Sequence, residues 1–215
     1  MDRLNIITID GPAGAGKSTV SRELARRLMF TYLDTGSMYR AVAWAARRKD
    51  IDIRDKKALS DLCNDLRLGF SGDRILVNGQ DVSSFIRTPE MDRLSSAVSN
   101  VDVVRKYLTE MQRELGREGH LVAEGRDMGT VVFPQAAHKF FLTASVEERA
   151  KRRKMQIKDQ GEEITYKEIM AQIKARDRAD STRSIAPLRA APDCIVINSS
   201  NLTVEEVIEK IVSEI

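Results

Sequence analysis

The run Gly11-Pro12-Ala13-Gly14-Ala15-Gly16-Lys17-Ser18-Thr19 matches the pattern G-x-x-x-x-G-K-[ST] and constrains the fold more than any other stretch. Before it, Leu4-Asn5-Ile6-Ile7-Thr8-Ile9 is apolar and β-branched and ends at Asp10, which reads as a buried parallel strand. After it, Val20, Leu24 and Leu28 recur at i, i+4 and i+8 beside Ala25 and Met29, the apolar face of a helix. Strand, glycine loop and helix in that order form the setting in which the motif is a phosphate-binding P-loop, not an ordinary glycine-rich turn. A polyphosphate needs several backbone N–H groups aimed at it, and glycines 11, 14 and 16 allow the conformations that wrap the loop. The following helix adds unpaired N–H groups and the positive end of its dipole. Residues Gly11 to Thr19 are therefore expected to hold a nucleoside triphosphate. Lys17 should reach its β- and γ-phosphates, and the Ser18 hydroxyl should ligate Mg²⁺, partly through water.

Composition bounds the rest. A chain of 215 residues suffices for one α/β domain with an insertion, and 42% apolar with 31% charged residues describes a globular protein. The 35 basic and 32 acidic residues leave a net charge of +3, too little to argue for a nucleic-acid partner. Cys63 and Cys194 are isolated thiols without metal-ligand spacing, expected to be reduced core residues. With His120 and His138 as the only histidines, a histidine metal site is not expected. Met1-Asp2-Arg3 leads into a short strand and not a signal segment, and no apolar run reaches membrane-spanning length. No membrane partner and a cytoplasmic location are the expectation.

Along the chain, Thr31-Tyr32-Leu33 makes a second strand and Asp34-Thr35-Gly36-Ser37 starts a helix carrying Met38 to Ala46. Tyr39-Arg40 lies in the first turn after a strand end, the edge where doubly wound folds bind ligands. A helix follows over about 55–64. Leu66–Phe70, Arg74–Val77 and Gln80–Val82 then read as short strands joined by Ser71-Gly72-Asp73 and by Asn78-Gly79, a strong hairpin signal. This is a small antiparallel meander inserted in an otherwise alternating chain. A polar helix at Glu90 to Ser99 precedes a longer one from about Val101, with Val104, Leu108, Met111 and Leu115 toward the core and Arg105 compatible with a solvated charge. Leu121-Val122-Ala123 is a core strand capped by Glu124-Gly125-Arg126-Asp127. Its strand-end acid suits a Mg²⁺-associated carboxylate, and a local Arg–Asp pair bracing the turn competes with a functional reading.

Lys139 to Leu142 is the fourth core strand. Ser145-x-x-Glu148 is a capping box that opens a basic helix with Arg149, Lys151, Arg152, Arg153, Lys154 and Lys158. A solvated face, a nucleic-acid surface, and arginines serving a transferring phosphoryl group all fit that run. Thr165-x-x-Glu168 opens a helix that buries Ile169 and Ile173 and ends in Arg176, Asp177, Arg178, Asp180 and Arg183. Asp193 to Ile197 is the fifth strand, and Thr203-x-x-Glu206 caps an amphipathic last helix. The alternation predicts a doubly wound α/β fold: a five-stranded parallel sheet with right-handed crossovers and a small antiparallel β insertion.

A P-loop identifies a nucleotide, not a reaction. No N-K-x-D guanine-reading motif is present, and arginines recur at several strand-end loops, which suits a small phosphotransferase with a second anionic substrate. Four blocks sharpen this: Ile9 to Lys17, Leu33-Asp34-Thr35-Gly36-Ser37-Met38-Tyr39-Arg40, Glu124-Gly125-Arg126-Asp127-Met128-Gly129-Thr130-Val131-Val132-Phe133-Pro134 and Arg183-Ser184-Ile185-Ala186-Pro187-Leu188. Together they resemble bacterial cytidylate kinases of the nucleoside monophosphate kinase group, in family order and over essentially the whole chain.

The resemblance implies transfer from ATP to CMP and dCMP, with Mg²⁺, within pyrimidine nucleotide metabolism. It implies one P-loop kinase domain over 1–215, a monophosphate-side insertion at about 62–92 and a lid at about 148–180. By motif match Thr35, Tyr39, Arg40 and Arg126 surround the CMP phosphate and sugar. Ser96, Arg105, Asp127 and Arg183 read the cytosine edge, and Arg176 and Asp180 hold the sugar hydroxyls. Arg149, Arg152 and Arg153 belong to the lid over the phosphates, with Lys17, Arg126, Arg149 and Arg153 as the catalytic set. The expected partners are ATP and CMP or dCMP alone, with a monomeric protein. A shikimate-type or broader pyrimidine monophosphate kinase, or a nucleotide-dependent RNA-binding protein using the basic helix, are the competing readings.

Overall fold

A computed structural model of the protein describes residues 5–159 and 164–215, so Leu4 and part of the expected lid, residues 160–163, lie outside the described residues. The chain divides into two compact units, Met1–Leu33 with Gly116–Ile215, and Asp34–Leu115.

The first unit is built on a five-stranded all-parallel sheet in the order β2-β6-β1-β7-β8. Its strands are β1 (Ile6–Asp10), β2 (Thr31–Asp34), β6 (Leu121–Gly125), β7 (His138–Thr143) and β8 (Ile195–Asn198). Every residue of β1 and β6 is buried, as expected of central parallel strands covered on both faces. The register pairs Asp10 with Gly125 on one side and with Phe141 on the other, so the carboxyl ends of β1 and β6 come level and β7 runs two residues further. Ligand-binding loops leave such a sheet at that edge.

Helices α1 (Lys17–Leu28) and α8 (Val204–Val212) close one hydrophobic cluster, in which Val20, Leu24, Val207, Ile208 and Ile211 meet Ile7, Ile9, Val122, Phe140 and Leu142. Helices α6 (Val146–Asp159) and α7 (Tyr166–Thr182) pair around Ala150, Ile157, Ile169 and Ile173.

The second unit holds α2 (Thr35–Arg48), α3 (Lys56–Asp65), α4 (Pro89–Val98) and α5 (Asp102–Leu115) with the antiparallel sheet β3 (Leu68–Ser71), β4 (Arg74–Val77) and β5 (Gln80–Asp81). Asn78 and Gly79 both have positive φ, at 50° and 82°, as a type I′ hairpin turn requires. Asp34, Asp55 and Thr88 cap α2, α3 and α4 by accepting from backbone N–H groups three residues on. The meander therefore lies within a larger, mainly helical unit.

Three local expectations need correction. Met29 is 91% exposed, because it is the left-handed cap residue that ends α1 and not part of its apolar face. Leu115, the last residue of α5, is 41% exposed. The fifth strand begins at Ile195, since a turn closed by the Cys194 N–H on the Ala191 carbonyl (3.1 Å) keeps Asp193 and Cys194 out of the ladder.

The capping boxes at Thr165 and Thr203 form completely. At Ser145 half of the box forms: its hydroxyl accepts from Glu148 N–H at 3.1 Å, but its own N–H goes to the Ser200 hydroxyl and Glu148 turns to Arg152.

Gly11 fixes how closely the P-loop can leave the sheet. Its φ is 149°, and a Cβ there would sit 1.9 Å from the Leu142 carbonyl oxygen. Gly11→Ala is expected to cost about 3 kcal/mol or more of folding stability, since rigid backbone and not a movable side chain is struck. Equilibrium denaturation measures it; a midpoint equal to that of the parent would refute the close approach.

Candidate active site

In the first unit the P-loop leaves β1 at Gly11 and enters α1 at Lys17, with Gly14 and Gly16 at φ of 77° and 94°. Its carbonyls are tied to protein. Pro12 O accepts from Lys17 Nζ (2.9 Å), Ala13 O from Arg149 Nη1 (3.0 Å), and Ala15 O from the Ser199 hydroxyl (3.0 Å) and Arg152 Nη1 (3.4 Å). With the carbonyls fixed on the protein side, the loop N–H groups are the donors left for an anion. Arg149 is 4% exposed; it also donates from Nε to Ala144 O (3.0 Å) and forms a two-pronged pair with Asp177 (3.0 and 2.7 Å). Arg152 further grips the Ser199 carbonyl at 2.7 Å. Of the three readings of the basic helix, the geometry separates the residues: Arg149 and Arg152 brace the P-loop, while Lys151 and Lys154 are exposed.

Beside the loop, the carboxyl end of β6 carries Glu124, whose Oε1 accepts from the Tyr32 hydroxyl of β2. Arg126 and Asp127 next to it are each bound by the end of α7. Arg126 Nε donates to Asp180 (2.8 Å), and Arg183 Nη2 donates to Asp127 (3.3 Å) while its Nε holds Ala186 O (2.6 Å). These two long-range pairs, and not only a local brace, organise the turn. Asp127 and Asp180 are buried. Met128–Val132 then forms a single π-helical turn, capped by Asp10.

Charge is concentrated here. Burial first, and then the Arg126 and Arg176 charges, push Lys17 down to about 7 against the pull of Glu124 and Asp10. Burial pushes Asp10 up to about 6, although two backbone N–H groups oppose it. Burial would raise Asp180 too, but Arg126, Arg176 and Arg183 bring it below the usual carboxylate range. Arg126, Arg176, Asp127, Asp180 and Arg183, each singled out from sequence, are thus part of one network with Lys17. Asp10, Tyr32, Asp177 and Ser199 complete that network and were not singled out; strand-end position was the only sequence signal available for Asp10.

In the second unit, Thr35 opens α2 and is buried, and Arg40 donates from Nε to Asp92 (2.9 Å). Arg105 is not a solvated charge. It is 4% exposed, donates to Ser99 O (3.1 Å) and stacks its guanidinium 5.4 Å from the Tyr39 ring centre. Ser96 lies half-buried on α4, its carbonyl accepting from the Ser99 hydroxyl (2.8 Å) and the Asn100 amide (3.0 Å). Cys63 is a buried free thiol, pushed up to about 11 by burial, whereas Cys194 is only half-buried.

For a divalent metal, Ser18 offers one exposed hydroxyl at the start of α1. Both Asp10 oxygens are committed to backbone N–H groups, and among the described residues no three acidic, histidine or cysteine side chains cluster as a protein-only metal site. One neutral ligand suits Mg²⁺, which retains waters and phosphate oxygens. Among the described residues no helix is long and apolar enough to cross a membrane.

A parallel sheet with β1 at its centre, a glycine loop gripping a buried lysine, and arginines at the neighbouring strand end define a P-loop phosphotransferase. The fold is similar to that of shikimate kinase from Bacteroides thetaiotaomicron (TM-score 0.51, 15% identity, 99% of each chain covered), a likeness of fold alone. The chain belongs to the cytidylate kinase family, whose model matches residues 7–215. It is 48% identical over 209 residues to the cytidylate kinase of Carboxydothermus hydrogenoformans, covering 95% of this chain and 94% of that protein. To that of Geobacter sulfurreducens it is 47% identical over 212 residues, covering 97% and 91%. It is therefore an enzyme, a kinase of that family, and the shikimate-type reading falls.

Burial and the Arg126 and Arg176 charges hold Lys17 well below the usual lysine range, and negative charge brought beside it would raise it. ATP binding at pH 8 is expected to be accompanied by net proton uptake. Titration calorimetry in two buffers of different ionisation heat reads this directly; identical heats would show that Lys17 is already charged.

Proposed function

We propose that the protein transfers the γ-phosphoryl group of ATP to CMP and dCMP, giving CDP and dCDP, as a monomeric cytoplasmic enzyme of pyrimidine nucleotide metabolism. The observation that carries the reading is the network of Lys17, Glu124, Arg126 and Arg176 in a chain of the cytidylate kinase family.

Gly11 to Thr19 enclose the ATP phosphates through backbone N–H groups, and Lys17 bridges the β- and γ-phosphates. Mg²⁺ would be held at Ser18, partly through water, and would supply further neutralisation of phosphate charge. Phosphoryl transfer asks the protein for in-line positioning and charge neutralisation and for little covalent chemistry, so no nucleophilic side chain is needed.

Arg126 is assigned to the acceptor phosphate with Thr35, Tyr39 and Arg40. Asp127, Arg183, Ser96 and Arg105 are assigned to the cytosine edge, where a guanidinium can donate two hydrogen bonds to the base carbonyl side. Arg176 and Asp180 are assigned to the sugar hydroxyls. Among the lid arginines, Arg153 is the candidate to meet the transferring group, and Arg149 supports the reaction by shaping the loop whose Ala13 carbonyl it holds. The domain reading is one kinase domain with an inserted monophosphate-side portion at about 62–92 and a lid over about 148–180, whose closure would exclude water and suppress ATP hydrolysis.

Lys17→Ala is expected to lower transfer by about 10³-fold or more while leaving the circular dichroism spectrum unchanged. Retained activity in the folded variant would remove Lys17 from its role. A coupled assay with CMP, dCMP, UMP, AMP and GMP tests the acceptor: CMP and dCMP should dominate, and preference for AMP or GMP would overturn the specificity.

A further inference from the structure

The residue just before the P-loop does something the loop motif does not describe. Asp10 ends β1, is 4% exposed, and carries its carboxylate to the neighbouring strand's exit. Its Oδ1 accepts from Met128 N–H at 2.9 Å and its Oδ2 from Gly129 N–H at 2.8 Å. Those are the first two amides of the π-helical turn Met128–Val132, so Asp10 caps that turn from a residue 118 positions away in sequence.

Asp127 precedes the turn with φ −147° and offers no side-chain cap of its own, since its carboxylate is engaged by Arg183. Position 129 is tightly packed: a Cβ there would lie 3.0 Å from the Thr8 hydroxyl and 3.3 Å from Lys139 Cδ, and those side chains would have to give way. The far end of the same segment is also fixed. Buried Lys139 donates to Pro134 O (2.7 Å) and to both Asp193 oxygens (2.9 and 2.7 Å).

We infer that Asp10 is a positioning residue: by capping the Met128–Val132 turn it sets where Arg126 and Asp127 stand relative to the P-loop. The inference rests on the proposed reaction, in which Arg126 and Asp127 receive the acceptor. Its chemical logic is rigidity. Arg126 and Asp127 occupy the short link between β6 and the turn, and both ends of that link are bound to β1, the first by strand pairing of Gly125 with Asp10 and the second by the Asp10 side chain. One residue thus carries the start of the donor loop on its backbone and the acceptor turn on its carboxylate.

The groups facing Asp10 are Lys17 from α1, Asp127 from the link and Cys194 from the segment before β8. Keeping a carboxylate buried beside Asp127 is costly, as its rise to about 6 reflects, and an amide would avoid that cost while offering only one acceptor for two N–H groups.

The test is Asp10→Asn, close to isosteric, compared with the parent in three measurements: thermal melting, ATP affinity by calorimetry, and kcat and KM for CMP. The expected result is an intact cooperative melt, ATP affinity changed far less than the acceptor step, and kcat/KM for CMP lower on the order of 10²-fold, the loss that misplacement by about 1 Å produces. Unchanged kcat/KM in the folded variant, or ATP affinity lost in proportion, would overturn the inference.

If the variant does not fold, the parent decides. Its Met128 and Gly129 amide resonances should titrate together with a midpoint near 6, and amides that ignore pH would overturn the inference. Failure of the parent to use CMP, with transfer to another monophosphate intact, would overturn the acceptor assignment, and Asp10→Asn would be scored on that other acceptor.

Discussion

A buried ammonium cannot share a site with guanidinium groups unless carboxylates hold the balance, and the first unit is arranged around that constraint. Lys17 is 6% exposed with Arg126 and Arg176 as electrostatic neighbours. Glu124 and Asp10 offset them at the ends of β6 and β1, while near the end of α7 Asp180 takes Arg126 Nε and Asp177 takes the fork of Arg149. Such pairs add little to stability, because desolvation consumes most of the attraction. What they secure is direction. Each guanidinium is held in a defined place before any phosphate arrives, which is the preorganisation that charge-stabilising catalysis requires.

The division of work among the arginines follows from what each one touches. Arg149 and Arg152 spend their donors on carbonyls of the P-loop and on Ser199, so they act on loop shape. Arg126 and Arg183 are bound instead to the acidic side chains of Asp180 and Asp127. Arg105, lying on Tyr39 and anchored to a backbone carbonyl, is fixed by stacking within the second unit.

Much of the frame was legible because its signals are local. The P-loop, the β-branched strand before it, the Asn78-Gly79 hairpin and the two complete capping boxes all depend on residues a few positions apart. The misses have a common physical origin. Met29 and Leu115 continue an apolar period into helix ends, where the chain has already turned away from the core. Asp10 and Tyr32 gain their meaning from partners 118 and 92 positions away, which periodicity cannot reveal. Arg105, a charge on a helix with an apolar face, reads as solvated until the Tyr39 ring is known to cover it. The four sequence blocks carried the family because they concentrate the strand-end loops; they did not say which arginine braces and which one is left to bind.

The grip of α6 on the P-loop has a mechanical consequence. Arg149 and Arg152 fasten the first two turns of that helix to the Ala13 and Ala15 carbonyls and to the segment after β8, so those turns form part of the chassis. A hinge placed before Arg152 would tear the loop from its mount each time it swung. Within the proposed lid of about 148–180, the residues up to Arg152 are therefore anchored, and any part that moves over the nucleotide begins beyond them.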